Sequence, residues 1–211
     1  MKSFDLSLYL ILDPRLCTER GMVETTLEAV AGGATMVQLR DKQASTAELV
    51  ESGRAIMAAL SRSGVPLIVN DDVEAAVAIG ANGVHVGQAD SHPRAAREAI
   101  GPGRILGLSV ETEALAARVD PAIVDYVGVG PVFATPTKPD HEPPIGIVGL
   151  ARLVMASPAP AVAIGGLAAE HAAAVLATGA RGLAVISAVC GQPDPRLAAR
   201  RLADAIREAG R

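Results

Sequence analysis

Aromatic side chains are almost missing from this chain. Phe4, Tyr9, Tyr126 and Phe133 are the four among 211 residues, and there is no tryptophan. A core must therefore be assembled from Ala, Val, Leu and Ile. Cysteine is equally scarce: Cys17 and Cys190 stand far apart and form no C-x-x-C pair, which argues against a disulfide framework or a zinc site and makes a reducing cytoplasm the expected compartment. The sequence also lacks a basic block. With a net charge of −4 it does not carry the footprint of a nucleic-acid binder, so an anionic ligand would have to be held by local charges. No apolar run is long enough for a membrane. Leu8 to Leu12 is too short for a signal-peptide core and runs into Asp13-Pro14, while Leu153 to Ala169 is broken by Ser157, Pro158, Pro160 and Gly165-Gly166. A soluble protein is expected.

What is present is alternation. Short β-branched or aliphatic runs, from Leu8 to Asp13, Met36 to Arg40, Pro66 to Asn70, Gly83 to Gly87, Ile105 to Ser109, Tyr126 to Gly130, Ala161 to Gly165 and Gly182 to Ser187, are each followed by an Ala-rich helical segment. Ser45-Thr46-Ala47-Glu48 is a capping-box pattern ahead of Leu49, Ile56, Met57 and Leu60, and Asp194-Pro195 opens the last helix. Alternation implies a parallel sheet, and eight repeats in a chain this short favour closure into a single (β/α)8 barrel spanning 1–211 over a doubly wound sheet. Polar residues gather where strands end and helices begin, at Asp13, Arg40-Asp41-Lys42, Asn70-Asp71-Asp72, Gln88 to Asp90, Ser109 and Thr135 to Lys138. In a barrel those positions share the C-terminal rim, where active sites are built.

The stretch Tyr126 to Lys138, Y-V-G-V-G-P-V-F-A-T-P-T-K, turns from an apolar strand to two threonines and a lysine, the furnishing of a phosphate loop. Gln38, Arg40 and Lys42 are spaced two apart, so all three can face one side of a strand while Val37 and Leu39 face the other. Two cations turned inward need an anion such as pyrophosphate; the alternative is a solvated strand end with Asp41 as partner. Asp71 and Asp90, from neighbouring strand ends, can share a hard cation, and Mg²⁺ commonly takes one or two carboxylates plus substrate phosphates. The competing reading makes Asp71 or Asp72 a helix N-cap. His85, inside V-H-V, reads as a packed or hydrogen-bonded strand histidine rather than a base. Gly165-Gly166 and Ile186-Ser187-Ala188 follow the seventh and eighth strands, where many barrels bind phosphate. One anion site at Arg40, Lys42 and Lys138 and another at Thr135, Thr137, Gly166 and Ser187 suggest two phosphorylated small-molecule substrates.

Q-L-R-D-K (38 to 42), V-N-D-D (69 to 72), H-V-G-Q-A-D (85 to 90), L-G-L-S (106 to 109), D-Y-V-G-V-G-P-V-F-A-T-P-T-K (125 to 138), A-I-G-G (163 to 166) and A-V-I-S-A (184 to 188) together resemble the thiamine phosphate synthase family, in order and over nearly the whole chain. The resemblance implies a (β/α)8 barrel that joins a hydroxymethylpyrimidine diphosphate to a thiazole phosphate, releasing pyrophosphate. It implies that Gln38, Leu39, Arg40, Asp41, Lys42, Asn70, Ser109 and Lys138 hold the pyrimidine diphosphate, with Lys138, Arg40 and Ser109 closest to the chemistry. Asp71 and Asp90 would hold Mg²⁺, and Thr135, Pro136, Thr137, Gly166, Ile186 and Ser187 the thiazole phosphate. The implied reaction is dissociative, in keeping with the lack of any Ser-His or Cys-His nucleophile pattern. The first strand, L-Y-L-I-L-D, departs from the family, which more often has threonine in the place of Leu12, and Pro139 to Pro144 reads as a lid or a long loop. The related thiazole tautomerases carry histidine in the place of Pro131 and degraded forms of the acid pair and T-x-T-K, so Pro131, Asp71, Asp90 and Lys138 favour the synthase over that isomerase and over a non-catalytic binder. Oligomeric state is left open.

Overall fold

β1 (Leu8–Leu12), β2 (Met36–Leu39), β3 (Leu67–Asn70), β4 (Gly83–Val86), β5 (Ile105–Val110), β6 (Tyr126–Val129), β7 (Ala161–Ile164) and β8 (Leu183–Val185) pair in parallel, each with the next, and β8 closes onto β1. The computed structural model describes residues 4–135 and 143–210. The helices are α1 (Met22–Gly32), α2 (Thr46–Leu60), α3 (Val73–Ile79), α4 (Pro93–Ile100), α5 (Glu113–Ala117), α6 (Gly146–Ala156), α7 (Ala172–Ala177) and α8 (Pro195–Ala209), with a short 3-10 turn, Ala169–His171, ahead of α7. This is the (β/α)8 barrel that the alternation predicts. Most strands stop a residue or more before the expected end, because Arg40, Gly87, Gly130 and Gly165 already belong to the loops. None of the helices among the described residues is long and apolar enough to cross a membrane.

The period-two alternation of each strand divides the core into two layers. Leu8, Leu10, Leu12, Val37, Leu39, Val69, Val84, Leu106, Val127 and Val185 point outward and bury against the helices. Tyr9, Met36, Ile68, Ile105, Tyr126, Val162 and Ala184 point inward and fill the barrel. Leu12 thus belongs to the outer layer, fully buried, and a threonine there would face helices rather than ligand.

Local signals explain the rim geometry. Ser45 and Glu48 form the expected capping box at α2. Asp72 caps α3, accepting the Ala75 amide at 2.7 Å and the Thr46 hydroxyl at 2.8 Å, so the cap role falls to Asp72 and leaves Asp71 for the rim. Asp72→Ala is expected to lower stability by about 1–2 kcal/mol through loss of that cap, read as a lower urea midpoint at unchanged m-value; an unmoved midpoint would show that the cap is idle. On the opposite face Gly33 and Gly80 end α1 and α3 with positive φ, as αβ turns require. Asp125, the first residue of the D-Y-V-G-V-G motif, also serves that face: its carboxylate accepts the Leu106 amide at 2.8 Å and Arg97 at 2.6 Å. Cys17 and Cys190 are both buried free thiols that barrel closure makes neighbours, and the Cys190 thiol donates to the Ile11 carbonyl at 3.5 Å.

Candidate active site

The strand ends open onto a cavity of about 370 Å³ at the C-terminal rim. Its wall gathers Gln38, Arg40 and Lys42 from β2 and its loop, Asn70 and Asp71 from β3, Asp90 after β4, and Ser109 on β5. Pro131 and Thr135 after β6, Gly165 and Gly166 after β7, and Ile186 and Ser187 after β8 complete it. Sequence reasoning placed these residues on one rim, and the fold brings them around one space. Two of the expected residues do not line it. Leu39 turns its side chain into the outer layer because it is out of phase with Gln38 and Arg40. Asp41 accepts the Gln43 amide at 3.0 Å and stays outside the wall, so it does not partner Lys42. Pro136, Thr137 and Lys138 lie outside the described residues, as does most of the segment from Pro139 to Pro144.

Lys42 pairs instead with Asp71. Asp71 has φ 62°, a left-handed conformation that costs a non-glycine residue about 1 kcal/mol or more. Its amide donates to the His85 carbonyl at 2.8 Å, which fixes the turn and aims the carboxylate toward Asp90. Asp90 in turn accepts the Gly87 amide at 2.7 Å. Burial first, then the neighbouring Asp90 carboxyl, raises the Asp71 pKa against the pull of Lys42. Asp90 moves the other way: burial opposes ionisation, but hydrogen bonds from Asp71 and the Gly87 amide prevail and hold it below its ordinary value. The two carboxyls therefore titrate as a linked pair in which Asp71 is the weaker acid. Paired carboxylates competing for a proton are an all-oxygen donor set of the kind a hard divalent ion takes. Among the described residues no group of three or more His, Cys, Asp and Glu converges, so further ligands would have to come from substrate oxygens or water.

Across the cavity, the loop after β6 is bonded to the end of β7. The Gly130-Pro131 peptide is cis, Val132 donates to the Ile164 carbonyl at 2.9 Å, and Phe133 donates to the Gly165 carbonyl at 3.1 Å. The Phe133 ring lies 4.4 Å from that of His171, centroid to centroid. Gly165 and Gly166 both have positive φ, and a Cβ on Gly166 would sit 2.7 Å from the Ala134 carbonyl oxygen and 2.8 Å from the Phe133 Cβ. The Gly-Gly pair is thus required both by conformation and by close approach, and the result places Thr135 beside Gly166 on one wall.

The barrel interior beneath holds a feature that sequence reasoning missed. Gln38 Nε2 donates to the Tyr9 hydroxyl at 2.6 Å, Tyr9 and Tyr126 hydroxyls meet at 2.9 Å, Tyr126 meets His85 Nδ1 at 2.9 Å, and His85 Nε2 meets Ser109 Oγ at 2.9 Å. His85 is hydrogen-bonded at both ring nitrogens, as the strand-histidine reading expects, and burial lowers its pKa to about 4. Burial likewise pushes both tyrosines well up. A signal existed: buried tyrosine needs a hydroxyl partner, and glycines inside strands mark close approach. Gly107 and Gly128 are those glycines, since a Cβ on Gly107 would overlap Tyr126 and His85, and one on Gly128 would lie 3.2 Å from His85 Cε1.

Comparison with known proteins agrees with this architecture. A family model described as thiamine monophosphate synthase matches residues 8–189. The thiamine-phosphate synthase of Azorhizobium caulinodans is 53% identical over 201 residues, covering 94% of each chain. That of Xanthobacter autotrophicus is 50% identical over 205 residues, covering 97% of each. The solved structure of a thiamine phosphate pyrophosphorylase from Pyrococcus furiosus superimposes with a TM-score of 0.86 at 38% identity, over 97% of this chain and 96% of that one.

Proposed function

From the premise that the chain belongs to the thiamine monophosphate synthase family, and so to a family of transferases, we propose that it joins a hydroxymethylpyrimidine diphosphate to a thiazole ethyl phosphate, giving thiamine phosphate and pyrophosphate, or to its carboxylated form with carbon dioxide released as well. The observation that carries this reading is the polarity of the rim cavity. Arg40, Lys42 and the acid pair stand on one wall, and Thr135, Gly166 and Ser187 on the other. Two anionic groups can therefore be held apart with their reactive ends meeting between them. Gln38, Asn70 and Ser109 would hold the pyrimidine diphosphate together with Arg40, Lys42 and Lys138, while Leu39 and Asp41 would contribute backbone groups alone. Thr135, Pro136, Thr137, Gly166, Ile186 and Ser187 would hold the thiazole phosphate.

The reaction proposed is a dissociative substitution. The bond from the pyrimidine methylene carbon to the diphosphate oxygen breaks with its electron pair leaving on pyrophosphate, and the thiazole nitrogen donates a pair to the resulting cation. Arg40, Lys42 and Lys138 would offset the charge growing on the leaving group, and binding would align the two reactants. Asp71 and Asp90 would hold Mg²⁺, which when bound supplies further positive charge to the diphosphate. Lys42, now paired with Asp71, would turn to the diphosphate once the ion takes over the acids. The cytoplasm is the proposed compartment, in keeping with two free thiols. Mixing both substrates with Mg²⁺ is expected to give thiamine phosphate and pyrophosphate in equal amounts, with neither formed when the thiazole phosphate is left out. Thiazole isomerisation, or binding without product, would overturn the reading.

A further inference from the structure

The line of side chains inside the barrel has a direction. An amide nitrogen has protons and no acceptor capacity, so the Tyr9 oxygen accepts from Gln38 and must place its own proton on its other neighbour, the Tyr126 oxygen. Tyr126, having accepted, passes its proton to His85 Nδ1. An accepting Nδ1 belongs to the neutral ring with its proton on Nε2, and that N–H donates to Ser109 Oγ at 2.9 Å. Ser109 stands on the cavity wall, and among the described residues its own hydroxyl proton has no other acceptor. Run in reverse, the line would have Ser109 donate to His85 and present only lone pairs to a ligand.

We propose that Gln38, Tyr9, Tyr126 and His85 form a one-way hydrogen-bond chain of positioning residues that makes Ser109 an obligatory donor, so that the cavity at this point takes an acceptor atom of the pyrimidine diphosphate. The final clause rests on the substrate assignment above; the direction of the chain does not. The chain spans four strands, β1, β2, β4 and β6, and ends on a fifth, β5, so it transmits the orientation of the buried Gln38 amide to the rim. Gly107 provides the space for its central link, Tyr126 to His85. Each member is buried, Tyr126 completely and Tyr9, Gln38 and His85 on the floor of the cavity, so the four groups have one another as their fixed partners.

The test is nitrogen-15 NMR of the histidine rings in the full-length, ligand-free protein, assigned with His85→Asn. His85 is expected to be protonated at Nε2 and bare at Nδ1; a proton on Nδ1 overturns the proposal. Tyr9→Phe cuts the chain while preserving the ring, and should divide His85 between both tautomers. In the two-substrate assay the same variant should lose about tenfold in kcat/KM for the pyrimidine diphosphate, the scale of one neutral hydrogen bond, with KM for the thiazole phosphate unchanged. Tyr126→Phe provides a second cut with the same expectation. A single tautomer and unaltered kinetics in both variants would overturn the proposal. Because the tautomer is read without ligand, it fails or stands apart from the substrate assignment.

Discussion

Asp90→Asn, like Asp71→Asn, is expected to lower turnover by on the order of a hundredfold, the scale on which loss of one charge-stabilising group in a preorganised site acts, and to weaken Mg²⁺ binding in a direct titration. The reason is the coupling of the two carboxyls. Asp71, raised by burial and by its neighbour, is the weaker acid, and Asp90, held below its ordinary value by Asp71 and the Gly87 amide, is the stronger, so a proton on Asp71 competes with a divalent ion for the same oxygens. It follows that Mg²⁺ affinity falls as pH is lowered through the Asp71 titration, which lies above that group's ordinary value, because protons then compete for the same oxygens. An Asn at either position leaves a single carboxylate with nothing to share. The pH dependence should then move down for Asp71→Asn, which removes the raised group. Unchanged turnover and Mg²⁺ dependence in both variants would remove the acid pair from the metal assignment.

The largest stability loss is expected for Gly107→Ala. The new Cβ would fall inside the van der Waals envelope of the Tyr126 ring and hydroxyl and of His85 Nδ1, all enclosed by the barrel. Overpacking of this kind costs roughly 1–3 kcal/mol, and here it also parts the Tyr126 to His85 hydrogen bond, whose separated groups remain buried. The expected outcome is a fall in urea midpoint together with loss of the single His85 tautomer. Gly103→Ala is the control, because nothing lies within 4 Å of its Cβ and its φ is not positive; it should be neutral or slightly stabilising. Equal midpoints for the two variants would show that Gly107 is not needed for space.

Sequence alone determined the barrel, the rim and much of the cavity wall, but not that Tyr9 and His85 join it or that Leu39 and Asp41 do not. Strand and helix alternate with periods set by backbone geometry, and residues at β-strand ends of a parallel barrel must emerge on one face. That is why Gln38, Arg40, Asp71, Asp90, Ser109 and Gly166 could be placed together before any contact was known. The same period separates Leu39 from the wall, a consequence that motif resemblance overlooks because it carries whole runs of residues across. Tertiary structure decided what depends on pairing across strands. Only register shows that Lys42 reaches Asp71 rather than Asp41, that Asp72 caps while Asp71 is held at positive φ, and that Cys17 meets Cys190. Only closure of β8 onto β1 brings Tyr9, Tyr126 and His85 together inside the barrel. Hydrogen bonds and proton sharing fall off within an ångström or so of contact, whereas strand and helix periodicity is written into every residue. The chain's pattern therefore states which face and which rim each residue reaches, and the folded barrel states which residues meet and which atom gives its proton to which.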